Sequence, residues 1–492
     1  MSTAHLPLQS TEFAPHPKQG RARSSIFGVG WSLLHTALPS VSALGIFLLA
    51  AAYLAPEDFG RLAIAGGLVS VALALSPAAF GEALIQRASI APGHADAVFW
   101  LNLGIGIAFF VSLHAIAELS TAWFGEPDLA WLVPLLALKV PFDLAAVVPS
   151  AMIIRAMRFR AIAIRTAIAS AIGAAFGIAL LLSGYGLLAL AVSQVVVSVV
   201  ACAAAFWVAK WQPGFKGRMR HLRDLFSYSV FASGQRVLGT LRLDHLVAGA
   251  LGGAMLLGLL SFAQRFFQML ADIAAGALGN VTHVVLSSMQ DDARKSVQTF
   301  EKASFAAACL GFPAFAGAAL IVGDIIWLLF GDKWAAAITA TQVFCLAGLI
   351  ATPGIVQGAL IRARGYPNRW FYYQLLQQIG TVAAIALTYS QGVTAVVIAI
   401  VAKTFLFWPI SAIMTVRLLE GTLSSYIRPM IGPALATVGM ASALLLLPFG
   451  TDWGGVASQV ILGAVIYTAL IVLLCRSQVI DVFHAIKVSK AK

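Results

Sequence analysis

Residues 186–224 read GLLALAVSQVVVSVVACAAAFWVAKWQPGFKGRMRHLRD. From Leu187 to Ala209 there is no Asp, Glu, Lys or Arg. Such a run is about as long as the ~20 residues an α-helix needs to cross a bilayer core. Within the next fourteen residues come Lys210, Lys216, Arg218, Arg220 and Arg223. An apolar run closed by a block of bases is the pattern of a membrane helix leaving the bilayer on its cytoplasmic side.

The pattern recurs along the chain. The 492 residues are 60% hydrophobic and only 11% charged, with a mean hydropathy of +0.89. Soluble proteins average about 25% charged residues, so composition excludes a soluble enzyme, a disordered chain and a disulfide scaffold. Apolar windows fall at about 28–54, 62–85, 98–121, 130–153, 161–182, 186–208, 225–250, 257–285, 303–329, 335–361, 371–389, 392–415, 429–448 and 455–474. These predict an all-α integral membrane protein of fourteen transmembrane helices. The first window is too long for a signal-peptide core and lacks a small-residue cleavage site.

The net charge of +12 supports this count. Under an N-in reading, 25 of the 32 Lys and Arg lie on the cytoplasmic loops and ends, and only Arg61 and Lys333 on the outward loops. The alternation predicts both termini cytoplasmic. The basic excess is therefore topology and implies no nucleic acid. Cys202, Cys309, Cys345 and Cys475 all fall inside apolar runs without metal spacing. No GxxxxGK[ST], HExxH or GxSxG motif occurs, and the outward loops are too short to house a catalytic domain. Neither a metal nor another cofactor is expected, and Asp291-Asp292 reads as a solvated turn.

Short echoes recur about 200 residues apart. Phe59-Gly60-Arg61-Leu62 resembles Leu257-Gly258-Leu259-Leu260, Phe124-Gly125-Glu126 resembles Phe330-Gly331-Asp332, and Ile154-Arg155-Ala156 resembles Ile361-Arg362-Ala363. The shift spans six helices and predicts two six-helix lobes of like orientation, helices 1–6 and 7–12, with two extra C-terminal helices. The expected organisation is a cytoplasmic polar segment 1–25, a lobe 26–209, a basic cytoplasmic linker 210–224, a lobe 225–416, helices 13 and 14 over 417–475, and a basic tail 476–492.

Charges inside spans are expensive, at about 2.5–3.5 kcal/mol each on insertion scales, and persist when paired or facing a wet cavity. Ser229, Ser233, Arg236, Thr240 and Asp244 form one polar stripe if span 7 is a continuous helix. Gln235 and Arg242 form a second line, and span 8 carries Ser261, Arg265, Gln268 and Asp272. A hydrated cavity walled by these stripes is one reading. Ion pairing of Arg236 or Arg265 with Asp244 or Asp272 is another, and both can hold together. Lys139 and Asp143 are i, i+4 neighbours suited to mutual neutralisation, whereas Lys403 has no acid near it in sequence. Arg236, Arg242, Arg265 and Lys403 would suit an anion such as a pyrophosphate. A cation exporter would instead favour unpaired carboxylates.

Phe80-Gly81-Glu82-Ala83-Leu84-Ile85-Gln86-Arg87, then Phe99-Trp100-Leu101-Asn102, resemble bacterial polysaccharide-transport proteins of the Wzx type. Gly331-Asp332-Lys333-Trp334 resembles their segment after helix 9. These proteins belong to the multidrug/oligosaccharidyl-lipid/polysaccharide (MOP) superfamily, with a MATE-like fold. The resemblance covers about residues 25–420. It implies an inner-membrane flippase, not an enzyme, moving undecaprenyl-pyrophosphate-linked oligosaccharides to the periplasmic face for exopolysaccharide, capsule or O-antigen of lipopolysaccharide. It also implies a cationic cavity between lobes, sodium or proton coupling in some relatives, and polymerase and export machinery as partners. The alternatives are a multidrug antiporter of the same superfamily and a membrane glycosyltransferase, polymerase or ligase of the same pathway.

Overall fold

The computed structural model describes residues 44–476, apart from 88 and 288–292, and residue 478. The expected N-terminal segment 1–25, the start of span 1, Asp291-Asp292 and most of the tail lie outside the described residues. Among those described, the chain is helical with no strand.

The helices are, in order, α1 (Leu44–Tyr53), α2 (Pro56–Leu75), α3 (Ala79–Gln86), α4 (Pro92–Ala115), α5 (Ala117–Phe124), α6 (Leu129–Ala137), α7 (Lys139–Ala145), α8 (Val147–Arg155), α9 (Phe159–Leu182) and α10 (Leu187–Ala209). They continue with α11 (Met219–Thr240), α12 (Leu243–Ser287), α13 (Ala293–Phe330), α14 (Ala335–Ala363), α15 (Pro367–Thr388), α16 (Val393–Leu418), α17 (Leu423–Leu446) and α18 (Trp453–Leu474). Proline opens α2, α4 and α15, where its missing N–H costs nothing and its fixed φ suits the first turn.

Among the described residues, ten stretches are long and apolar enough to cross a membrane, which makes this a multi-pass membrane protein. One of the ten, Val297–Arg362, runs through both α13 and α14. α11 and α15, each 22 residues, are long enough but fall outside the ten. α11 carries Ser229, Ser233, Gln235, Arg236 and Thr240 of the candidate stripes, and α15 carries Gln374, Gln377 and Gln378.

Two expected helices are broken. The span at 130–153 is three segments, with breaks at Leu138 and Ala146. Each break lies three residues before a proline, Pro141 or Pro149. A proline removes one backbone donor and clashes with the carbonyl four residues back. The span expected at 225–250 begins earlier, at Met219, and stops at Thr240. Leu241 is extended (φ −72°, ψ 120°), and α12 starts at Leu243. The stripe Ser229–Asp244 is therefore not one helical face, because Asp244 belongs to the next helix. α12 breaks in turn at Gly253 (φ 72°, ψ −178°), a conformation nearly confined to glycine.

By contact the chain divides into residues 1–254 and 255–492. In the first unit α11 packs on α2, α3 and α4, and α9 on α10. Its core gathers Phe80, Phe99, Met152 and Trp211. In the second unit α13 packs on α14 and α17, and α16 on α14 and α15. There Trp334 is fully buried and stacks on Phe262 with centroids 4.0 Å apart.

Two of the three echoes fall on matching turns. Gly125 and Gly331 both have positive φ, 69° and 61°. After Ile154-Arg155-Ala156 the chain closes with Met157 at φ 55° and an N–H of Arg158 bonded to Ile153 O. After Ile361-Arg362-Ala363 it closes with Gly365 at φ 82° and Tyr366 N–H bonded to Ile361 O. Both are left-handed helix endings that satisfy otherwise orphaned carbonyls.

Candidate functional site

In the first unit the broken end of α11 brings the candidate polar residues together. Arg242 faces Asp244, with Nε to Oδ1 and Nη2 to Oδ2 both 3.3 Å, and its guanidinium also contacts the ring of His245. The Arg242 backbone N–H, freed where the helix stops, donates to Ser70 Oγ at 3.1 Å. Asp244 is buried, and Arg242 answers its charge. Asp244 is thus engaged by the residue two before it rather than by Arg236. Arg236 instead faces Glu82 of α3, with Nη1 to Oε1 at 3.8 Å. Both side chains stay open, at 38% and 47% exposure, so this contact is loose. Arg87, five residues after Glu82, reaches Asp224 instead, donating to its backbone carbonyl at 3.1 Å. Thr240 is half-buried at the end of α11, and the Ser233 side chain lies outside the described residues.

Lys139 and Asp143 both lie on the middle segment α7, seven residues or about two turns of helix between the breaks at Leu138 and Ala146. Asp143 interacts electrostatically with Lys139 and is hydrogen-bonded to Ser198 of α10.

In the second unit Lys403, on α16, is held by α15. Its Nζ lies 3.1 Å from Gln377 O, 2.7 Å from Gln377 Oε1 and 2.9 Å from Thr381 Oγ1. An ammonium has three N–H bonds, and here three uncharged oxygens accept them. Gln377 is fixed in turn by donating to the Tyr373 hydroxyl at 2.8 Å. Gly380, the residue opposite the lysine stem, leaves the space it occupies. Gln268 donates to Asp272 Oδ1 at 2.8 Å. Arg265 is half-buried on the same helix. The four candidate cations therefore fall two in each unit.

Reading the sequence missed Ser70, Gln377 and Thr381. Gln377 and Thr381 carried a signal, since they are i, i+4 on the most glutamine-rich helix, with Gln374 and Gln378 beside them. It also missed a cluster in which Arg61 pairs with Glu126 at 2.8 Å, Asp58 at 3.1 Å and Asp128 at 3.2 Å. No group that could hold a metal ion occurs among the described residues.

Apolar spans, proline-broken helices and intramembrane cations define a helical membrane protein with the fold of MOP-superfamily transporters. Lipid II flippase MurJ, in an inward closed conformation, superposes with a TM-score of 0.72 at 14% identity, over 93% of this chain and 99% of that one. An inward-facing multidrug-resistance MATE transporter of the MOP superfamily gives 0.56 at 15% identity, over 79% and 94%. The chain belongs to the polysaccharide biosynthesis protein family, which matches residues 49–339. It is 25% identical over 478 residues to the succinoglycan biosynthesis transport protein ExoT of Rhizobium meliloti, covering 93% of this chain and 94% of that protein. It is 23% identical over 372 residues to the lipopolysaccharide biosynthesis protein WzxC of Escherichia coli, covering 74% and 75%.

Proposed function

We propose that the protein is a flippase that carries polyprenyl-pyrophosphate-linked oligosaccharide repeat units from the cytoplasmic to the periplasmic face of the bacterial inner membrane. The product feeds an exopolysaccharide, capsule or O-antigen, with polymerase and export machinery acting downstream. Fourteen helices with both termini cytoplasmic form two six-helix lobes that alternate access to a site between them. The pyrophosphate pairs with Arg236, Arg242, Arg265 and Lys403, the glycan occupies a hydrated cavity, and the polyprenyl tail stays in lipid. A sodium or proton gradient drives the cycle, with Asp244, Asp272, Lys139 and Asp143 as candidate coupling groups.

One observation carries this reading. Lys403 holds its positive charge in an apolar helix by hydrogen bonds to neutral oxygens alone. Its charge stays available to an anion, and a pyrophosphate supplies the counter-charge that the low-dielectric site favours. The buried carboxylate Asp244 is already paired with Arg242, which speaks against a cation exporter that uses it.

The test uses Lys403→Met, Arg236→Ala and the double variant in a strain whose polymer depends on the protein. With membrane levels matched, each single should lower polymer output about tenfold or more, the loss of one charge-assisted contact of ~1.5–3 kcal/mol. The lipid-linked repeat unit should accumulate. Normal output from both singles and the double would overturn the assignment.

A further inference from the structure

His94 and His221 occupy the same position on two different helices. His94 lies three residues after Ala91, which precedes α4, and His221 three after Arg218, which precedes α11. In each case the ring Nδ1 accepts the backbone N–H at the helix entrance. Ala91 N is 3.2 Å from His94 Nδ1, and Arg218 N is 3.1 Å from His221 Nδ1. A nitrogen that accepts carries no proton, so both imidazoles are neutral and bear their proton on Nε2. The ring centroids are 4.8 Å apart, and His94 Nε2 donates to Asp224 Oδ2 at 3.3 Å.

The segment 210–218 is tied to the same place. Asp96, buried two residues beyond His94, accepts from Gly214 N at 3.0 Å and Lys216 N at 3.1 Å. Trp100 Nε1 donates to Gly214 O at 2.9 Å. His221 packs so closely on Gly93 that a methyl group there would collide with its ring.

We propose that His221, packed on His94, closes a proton-sensitive clasp, which holds the entrance of α11 while its ring accepts from the Arg218 N–H and releases it when that ring protonates. The inference is independent of the substrate. Protonation at Nδ1 sets an N–H against a backbone N–H, so α11 loses its entrance hydrogen bond. It also sets an imidazolium against the His94 ring and beside Arg218 and Arg220, with Asp224 opposing and Arg87 at 4.0 Å from the Asp224 carboxylate. Burial first, then the neighbouring His94, Arg220 and Arg218, hold His221 below the ordinary histidine range, against the pull of Asp224. The clasp is therefore closed at neutral pH and opens on the acid side.

The experiment is hydrogen exchange over residues 210–224 of the full chain in lipid nanodiscs, at pH 7.5 and pH 5.5, corrected for the intrinsic chemical rate. Protection in the wild type should fall about tenfold at the lower pH, the expected scale for losing helix-entrance hydrogen bonds. His94→Gln with His221→Gln keeps an acceptor that does not titrate, so its protection should be the same at both pH values. Gly93→Ala should displace His221 and raise exchange already at pH 7.5. Equal protection of the wild type at the two pH values would overturn the proposal. So would a double glutamine variant that loses protection as the wild type does, or a Gly93→Ala variant with wild-type exchange.

Discussion

At the scale of single residues, Lys403 separates stability from function. Its ammonium is satisfied by Gln377 and Thr381, so the site is built to hold the charge rather than to cancel it. Gln377→Leu takes away one of three acceptors from a half-buried cation and should destabilise the protein by ~1–3 kcal/mol, read as a lower melting temperature in detergent. Lys403→Met removes the charge together with its need for acceptors. It should leave the melting temperature within a few degrees while polymer output falls. Equal thermal losses in the two variants would make Lys403 a structural residue. The lysine was legible from sequence, because an isolated cation in an apolar run is rare. Its partners Gln377 and Thr381 stood out only as polar i, i+4 residues, and nothing in either helix alone said that α15 meets α16 at that lysine. The same limit applies to Arg236, whose neighbour Glu82 lies 154 positions back.

Elements are where sequence periodicity failed, and each failure has a local cause. Fourteen windows of hydropathy treat every window as one rod. Pro141 and Pro149 interrupt the window at 130–153, and the extended backbone at Leu241 divides the polar stripe of span 7, while Gly253 falls between the windows 225–250 and 257–285. The prolines stood in the sequence, but membrane helices often tolerate them where neighbours satisfy the freed groups. Nothing at Leu241 announces a break, and Arg242 donating to Ser70 is a tertiary contact. Gly253→Ala should cost ~1–3 kcal/mol, because φ 72° with ψ −178° is strained for any residue with a Cβ. A shift in thermal midpoint would measure it, and an unchanged midpoint would mean that α12 is not broken there. The buried Arg155 shows an element end held from outside. It donates to the carbonyls of Leu84, at 3.0 Å, and Arg87, closing α3. Arg155→Ala should leave these carbonyls without their donor, at ~1.5–3 kcal/mol for a charged hydrogen bond. Faster amide exchange near residues 84–87 should report it.

For the whole molecule, composition and charge alternation gave the class, and the family match over residues 49–339 agrees with it. The number of crossings is where hydropathy and charge diverge. Ten stretches qualify by apolarity, and four of them lie between Lys216 and Thr451 if Val297–Arg362 crosses once. Four crossings put both residues on the same side. The charge alternation needs seven, because it counts α11, α13, α14 and α15 each as a crossing, and seven put them on opposite sides. α11 and α15 are polar for a reason under this reading, since they carry Arg236 and the acceptors of Lys403. Both Lys216 and Thr451 are exposed, and Cys202, Cys345 and Cys475 are buried. With Cys309 replaced by alanine, Lys216→Cys and Thr451→Cys can be labelled one at a time with a membrane-impermeant thiol reagent. Thr451→Cys should react in spheroplasts, and Lys216→Cys only after the inner membrane is permeabilised. Labelling of both from the same side would reduce the crossings between them to an even number. The polar helices would then lose their place across the bilayer, and Arg236 and Lys403 their access to a substrate carried through it.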